Sequence, residues 1–397
     1  MKEFKFIFCC CLLSLILFSG CTSRREDSSL RDTTETTGKS VDSVAAYSVQ
    51  HARGFKIDYF KNYKLISVKD PWDSKGKVNR YVLYRSDSLR PAGYEDAQYI
   101  KVPVKNFIIL SSLYAAYSDK LNLNNQLIGI SEFRLINTQS ILNLISKGQI
   151  QEVGAGGSLN IEKIIELSPG LVITYGTGDP ALDTHPKLME AGLKVAVNAE
   201  QMETTPLGRA EWIRFMAAFF DKEKEADSVF RNIENRYHKM KEIARSAKSS
   251  PTVFTGIKYG DAWYMPGGES YAANLFKDAH AGYLWAESPK RGSIPLSFEA
   301  VYEKAASADY WINVSDWSTK QDILKNDPRY GGFKAFKTGT IYNNNKRVNR
   351  YGGNDYWESG LLNPDLVLGD LIKILHPELL PEYEFVYYKK IKDEQEK

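Results

Sequence analysis

"LNIEKIIELSPGLVITY" at residues 159–175 and "LSFEAVYEKAASADYWIN" at residues 296–313 carry the same sequence of physical instructions. Each opens on a helix-capping side chain, Asn160 or Ser297, followed by a short amphipathic helix with a glutamate at its second position, Glu162 or Glu299. Each helix then runs into a strand rich in β-branched or aromatic residues. A carboxylate at that helical position stabilises its own helix by about 0.3–1 kcal/mol, which explains either glutamate taken singly. The pairing says more: two α/β units built alike, each offering an acidic point at an equivalent place.

The surrounding text supports two units. From Ile100 to about Val197, short apolar runs ("FIIL", "QLIGI", "GLVITY", "KVAVN") alternate with helical stretches. That rhythm predicts a parallel sheet covered on both faces. From Thr252 it restarts with "TVFTGIKYG", "YAANLFKDA", "FEAVYEKAA", "DYWINVS" and "TIYNN", then a last helix. Between them, Thr205-Pro206 is a cap and first-turn pair opening a helix through "RAEWIRFMAAFF". A second helix, Glu223 to Ala247, carries Ala226, Val229, Phe230, Ile233, Tyr237, Met240 and Ile243 on one stripe, and at 1.5 Å per residue would be about 37 Å long. It can span from one unit to the other, although a helical hairpin packed on a single domain has the same spacing. Ahead of all this, Phe55 to Tyr84 alternates in the manner of paired strands. The fold class is therefore α/β, with two lobes of mainly parallel sheet. Its segments are residues 47–204 (first lobe with extra leading strands), 205–248 (helical connector) and 249–397 (second lobe).

The first 46 residues are of another kind. Lys2 and Lys5 precede an apolar run from Phe6 to Phe18, too short to span a bilayer comfortably, and "LFSGC" closes it. Residues 1–21 read as a lipoprotein signal peptide with Cys21 as the lipidated residue. All four cysteines (Cys9, Cys10, Cys11 and Cys21) lie here, which excludes a disulfide framework or cysteine metal site in the mature chain. Residues 22–46, rich in Ser, Thr and charge, are expected to form a disordered tether covering roughly 25 Å on average. The expected location is the periplasm or the outer face of the cell membrane.

Several function classes fall away. Fifty-two basic against 49 acidic residues give a net charge of +3 with no basic block, so nucleic acid is not favoured as a partner. "GAGGSLN" lacks the lysine of a phosphate loop, and no G-x-S-x-G nucleophile elbow occurs. The five histidines (His51, His185, His238, His280, His376) are scattered without ligand spacing, so no metal site is expected. The pair Asp355 and Glu358 could serve glycosidase chemistry, but acidic residues are common enough to make that signal weak.

From about Ile100 to Leu380 the chain resembles the periplasmic substrate-binding proteins that serve ABC importers of iron chelates, haem and cobalamin. The likeness rests on "IKVPVKNFIILSSLYAAYSDKLNLNNQLIGIS", "GSLNIEKIIELSPGLVITYG", "LMEAGLKVAV", "PTVFTGIKYGDAWYMPGG" and the long joining helix, in that order behind a lipobox. The resemblance implies a monomeric capture protein with no catalytic residue and no resident cofactor. It implies that a long rigid helix bridges the two lobes and that a metal chelate (ferric siderophore or haem, alternatively a corrinoid) is held in the cleft between them. It also implies permease subunits as partners, gripped through Glu162 and Glu299, and a membrane tie through the lipid. An enzyme on the same architecture, such as a metal chelatase, is the alternative of a different class.

Ligands of open parallel sheets sit beyond the carboxyl ends of the strands. Loops expected there offer Arg134, Tyr175, Tyr259, Trp263, Tyr264 and Trp317, then Arg350, Tyr351, Tyr356 and Trp357 from "NNNKRVNRYGGNDYW". Aromatic area with arginine forks suits a bulky, planar or anionic chelate, which places an iron chelate first. Tyr310 and Trp311, inside an expected strand, read as core.

Overall fold

The computed structural model describes residues 47–70, 76–155, 158–179 and 183–394. The signal segment with Cys21, the tether of residues 22–46, and Gly156 and Gly157 of the glycine run lie outside these.

The alternating leading stretch forms a four-stranded sheet. β1 (Phe55–Tyr59), β2 (Tyr63–Lys69) and β3 (Val78–Tyr84) are antiparallel, and β4 (Ala97–Lys101) joins parallel to β3. Period-2 alternation turns Ile66, Val68, Tyr81 and Leu83 inward, where all are buried.

The first lobe then winds as expected. β5 (Phe107–Ile109), α1 (Leu113–Lys120), β6 (Leu127–Ile130), α2 (Gln139–Ser146), β7 (Gln151–Glu152), α3 (Ile161–Leu167), β8 (Leu171–Tyr175), α4 (His185–Glu190) and β9 (Val195–Asn198) follow one another. The five strands make a parallel sheet in the order β7-β6-β5-β8-β9. Its strands read as continuous apolar runs because both faces are covered. Ile108, Val172 and Val195 pack with Ile164 and Leu188 on one side, while Phe107, Ile109, Leu171 and Ile173 join the main core on the other.

The connector differs in one respect from the single helix expected through "RAEWIRFMAAFF". It is two short helices, α5 (Pro206–Ala210), capped by Thr205, and α6 (Ile213–Ala218). At the break sits Glu211, fully buried, whose carboxylate accepts the backbone N–H groups of Gln50, His51 and Ala52. Glu203 does the same for Arg53 and Gly54 and accepts the Trp212 indole N–H. Buried carboxylates need several donors to be tolerated, and the leading segment supplies them. Phe55 on Trp212 and Phe215, with Tyr81 on Phe215 and Phe219, completes the seam.

α7 (Glu223–Arg245) is 23 residues, about 35 Å long. Ala226, Phe230, Ile233 and Tyr237 of the expected stripe are buried. Its first half is tied to the leading segment and connector by Arg214–Asp227 (2.8 Å) and His51–Glu234 (2.6 Å). Its second half is tied to the second lobe: Tyr237 donates to Asp278 at 2.7 Å, Lys241 pairs with Asp278 at 2.8 Å and Arg236 with Asp365 at 2.6 Å. This rules out the reading of a hairpin packed on one domain, since the helix is fastened at both ends.

The second lobe comprises β10 (Thr252–Thr255), β11 (Lys258–Tyr259), β12 (Ala262–Pro266), α8 (Tyr271–Asp278), β13 (Gly282–Tyr283), β14 (Ser293–Leu296), α9 (Phe298–Ala305), β15 (Tyr310–Ile312), α10 (Lys320–Asn326), α11 (Lys334–Thr338), β16 (Ile341–Asn343), α12 (Pro364–Leu375) and β17 (Lys389–Lys390). The main sheet runs β13-β10-β15-β16-β17, parallel except for β17. β11, β12 and β14 form a separate antiparallel sheet. Trp311 is core, as its place in β15 required.

Candidate ligand-binding site

Both main sheets reverse direction of winding partway across: at β5 in the first lobe, whose successors lie on either side, and at β10 in the second. Ligands of such sheets collect beyond the carboxyl ends of the strands at these switch points. A cavity of about 850 Å³ lies there. Ser112, just after β5, and Leu135, after β6, come from the first lobe. Asn313, Ser315, Asp316 and Ser318 follow β15, and Asn344 and Asn345 follow β16. Val348, Gly352, Asn354 and Trp357 come from the long loop beyond, and Lys389 from β17. The volume falls in the upper part of the range typical of small-molecule pockets, and so suits a bulky ligand.

The second-lobe wall is held in a defined shape. Asn343, fully buried, donates through Nδ2 to the carbonyls of Ser315 (2.8 Å) and Trp317 (3.0 Å). Asn345 donates to those of Asp316 (3.1 Å) and Trp317 (3.2 Å). Asn313 and Ser315 have φ of 60° and 61°, a left-handed conformation that non-glycine residues adopt at a cost and that concentrates at functional sites. Lys389 donates to Ser318 Oγ at 3.3 Å; burial, then neighbouring Lys392, pull its pKa below that of an ordinary lysine.

The two lobes also touch directly beside the cavity. Glu358, fully buried, accepts the backbone N–H of Asn137 (2.5 Å) and of Thr138 (2.9 Å), as well as the Thr138 hydroxyl. A second-lobe carboxylate thus caps the first-lobe helix α2. Asn349 adds hydrogen bonds to the carbonyls of Arg134 and Ile136.

The sequence-predicted site residues divide. Trp357, 54% exposed, lines the cavity. Trp317 lies between two lining residues, half-buried, its ring 6.1 Å from Tyr330. Arg134 precedes the lining Leu135, but its guanidinium is engaged by Glu132 at 2.9 and 3.1 Å. Arg350 stacks over exposed Tyr351 at 4.7 Å, next to lining Gly352. Tyr175 ends β8 and is exposed, but is not in the cavity wall. Tyr259 and Tyr264 are exposed on the small antiparallel sheet and also stand outside the cavity wall.

Two expectations are corrected. Trp263 is 0% exposed: β12 alternates so that Trp263 and Met265 face inward, its ring meets Trp311 and Tyr330, and its N–H donates to the Thr255 carbonyl. It is core, not a ligand contact. Tyr356 is likewise buried, edge-on to Tyr387 and Tyr388. The asparagines and serines that form most of the wall were not singled out from the sequence. For Asn313, Ser315, Ser318, Asn344 and Asn345 the only signal is position, one to six residues past strands "YWI" and "IYN".

Asn160 and Ser297 cap α3 and α9, accepting from Lys163 and Ala300. Because each helix returns to feed a parallel strand, each opens at the strand-carboxyl edge of its lobe. Glu162 is exposed and has no ion-pair partner among the described residues. Glu299, with 73% of its side chain exposed, pairs with Arg329 at 3.0 Å, which also pairs with Asp327. Its own backbone amide, the Ser297 hydroxyl and Arg329 hold its carboxyl below the usual range.

Among the described residues no cluster of three His, Cys, Asp or Glu could hold a metal ion, and no helix is long and apolar enough to cross a membrane. His280 and His376 come to 6.1 Å between ring centroids, a proximity the sequence did not show.

Two switch-point sheets facing one cavity across a stiff helix define a two-lobed solute-binding protein. The family model for periplasmic binding proteins matches residues 108–348, and the chain belongs to that family. These are solute-binding proteins, not enzymes, and they take small ligands and work with ABC permeases. An uncharacterized lipoprotein of Methanocaldococcus jannaschii is 27% identical over 407 residues, 95% of this chain and 94% of its own. CeuE of Helicobacter pylori, in a Ni-His complex, shares the fold with a TM-score of 0.55 at 18% identity, over 81% of this chain and 91% of that one. A periplasmic heme binding protein of Pseudomonas aeruginosa does so with a TM-score of 0.54 at 14% identity, over 74% of this chain and 100% of that one.

Proposed function

We propose that the chain is the capture subunit of an ABC importer, taking a metal chelate such as a ferric siderophore or haem into the interlobe cavity and delivering it to the permease. The observation that carries this is the cavity itself, of about 850 Å³, walled by strand-end loops of both lobes with the indole of Trp357 on its surface. The structural relatives named for nickel-histidine and for heme share the feature of a metal inside an organic shell. Cys21 carries the lipid that holds the protein to a membrane, as the name of the archaeal relative suggests. Glu162 and Glu299 are the docking points, and ion pairs made there contribute more to orientation and association rate than to affinity.

The test is titration of the purified protein with haemin and with a ferric trihydroxamate, read by tryptophan fluorescence. Saturation at one ligand per chain with the ligand recovered unchanged supports capture. Release of an altered product would instead favour the enzyme reading.

A further inference from the structure

Resting on the docking reading, we infer that the docking face is asymmetric: Glu162 is an open acidic point, whereas Glu299 is already held by the chain's own Arg329, which a permease cation must displace. The two carboxylates occupy the same place in their lobes, each in the first turn of a capped helix. Their surroundings differ. Glu162 is exposed and has no ion-pair partner among the described residues. Glu299 accepts a hydrogen bond on Oε1 from Arg329 Nη1 at 3.0 Å.

Arg329 does not owe its place to Glu299. It comes from the short helical turn Pro328–Gly332 that follows α10, and Asp327 caps that turn by accepting the Arg329 backbone N–H at 3.0 Å. The same carboxylate takes the guanidinium as a fork, with Nε 3.1 Å from both oxygens and Nη2 at 2.7 Å from Oδ2. The guanidinium also lies over the ring of Phe298, the residue just before Glu299, 4.1 Å from its centre. Asp327 and Phe298 thus fix the arginine by themselves, and a single hydrogen bond joins it to the docking carboxylate. Displacement by a partner's cation breaks that one bond and keeps the others. Because the side chains of Arg329 and Glu299 are 48% and 73% exposed, that exchange costs little. Until it happens, the positive charge resting on Glu299 opposes the approach of a second cation, so Glu162 is the point engaged first. The repeated sequence hides this difference, since Arg329 reaches Glu299 from 30 residues further along the chain.

The probe is the ABC permease of the protein's own host, held in nanodiscs, and the measurement is the rate at which the full chain associates with it. Arg329→Gln, which removes the charge at a position outside the cavity wall, should associate about two- to fivefold faster at low salt, with the gain shrinking as ionic strength rises. In a chain that also carries Glu299→Gln the same substitution should give no gain, which separates displacement from a general change of surface charge. A second comparison needs no change at Arg329: Glu162→Lys should slow association more than Glu299→Lys. Unchanged or slower association of Arg329→Gln, a gain that persists without Glu299, or equal slowing by the two reversals overturns this inference and leaves docking through both carboxylates standing. If neither reversal slows association, the docking reading fails as well.

Discussion

Glu358, together with Asn349, fastens the lobes to each other beside the cavity. Its carboxylate takes the N–H groups of Asn137 and Thr138, the two residues just before α2, across the interlobe contact, and burial raises its pKa despite the hydrogen bonds from Thr138 and Asn137. Glu358→Ala leaves those donors facing a void and should lower the unfolding free energy by about 2–3 kcal/mol, measured by denaturant titration. Asp309 offers the pH counterpart. Burial raises its pKa, but Lys334 and Thr252 outweigh that and hold it at about 2, below the ordinary 3.8. A depressed folded pKa gives stability that is complete above about pH 4 and is lost as the pH falls toward 2. Asp309→Asn should flatten that part of the stability profile; an unchanged profile would show that the carboxylate is not ionised by its partners. At this scale the sequence was least legible. Residue type does not mark Asn313 and Asn345, because what places them in the cavity wall is a left-handed backbone at the first and an amide turned onto a neighbouring loop at the second.

At the scale of elements, periodicity carried most of the information. The stripe on α7, the caps Asn160 and Ser297, and the apolar runs of β5, β8 and β15 stand where their patterns put them, because each pattern reflects burial against one or both faces. The misplaced element was β12. "AWYMP" alternates with period 2, which turns Trp263 and Met265 inward and Tyr264 outward, yet its place after the strand "TVFTGI" had assigned it to a strand-end loop. Trp263→Ala should therefore act on stability, costing about 3–5 kcal/mol by thermal or chemical unfolding. Loss of ligand affinity with stability unchanged would return Trp263 to the cleft. Trp357→Ala should do the reverse, leaving the fold intact and weakening ligand binding at least tenfold in titration.

For the molecule as a whole, the leading sheet and α7 brace the first lobe, and Glu358 and Asn349 clasp the second to it beside the cavity. The second lobe supplies most of the cavity wall, while the carboxylates proposed for docking belong one to each lobe. Reversing both Glu162 and Glu299 to Lys should leave ligand affinity nearly unchanged and abolish delivery in a reconstituted importer, since neither residue lines the cavity. The central claim is that the interlobe cavity carries one small-molecule chelate, and native mass spectrometry of the protein isolated from its own host tests it most directly. The account predicts one added mass with a metal isotope signature, absent from the Trp357→Ala protein. A bare protein mass after isolation under cargo-replete growth, or an added mass that persists in Trp357→Ala, would contradict it.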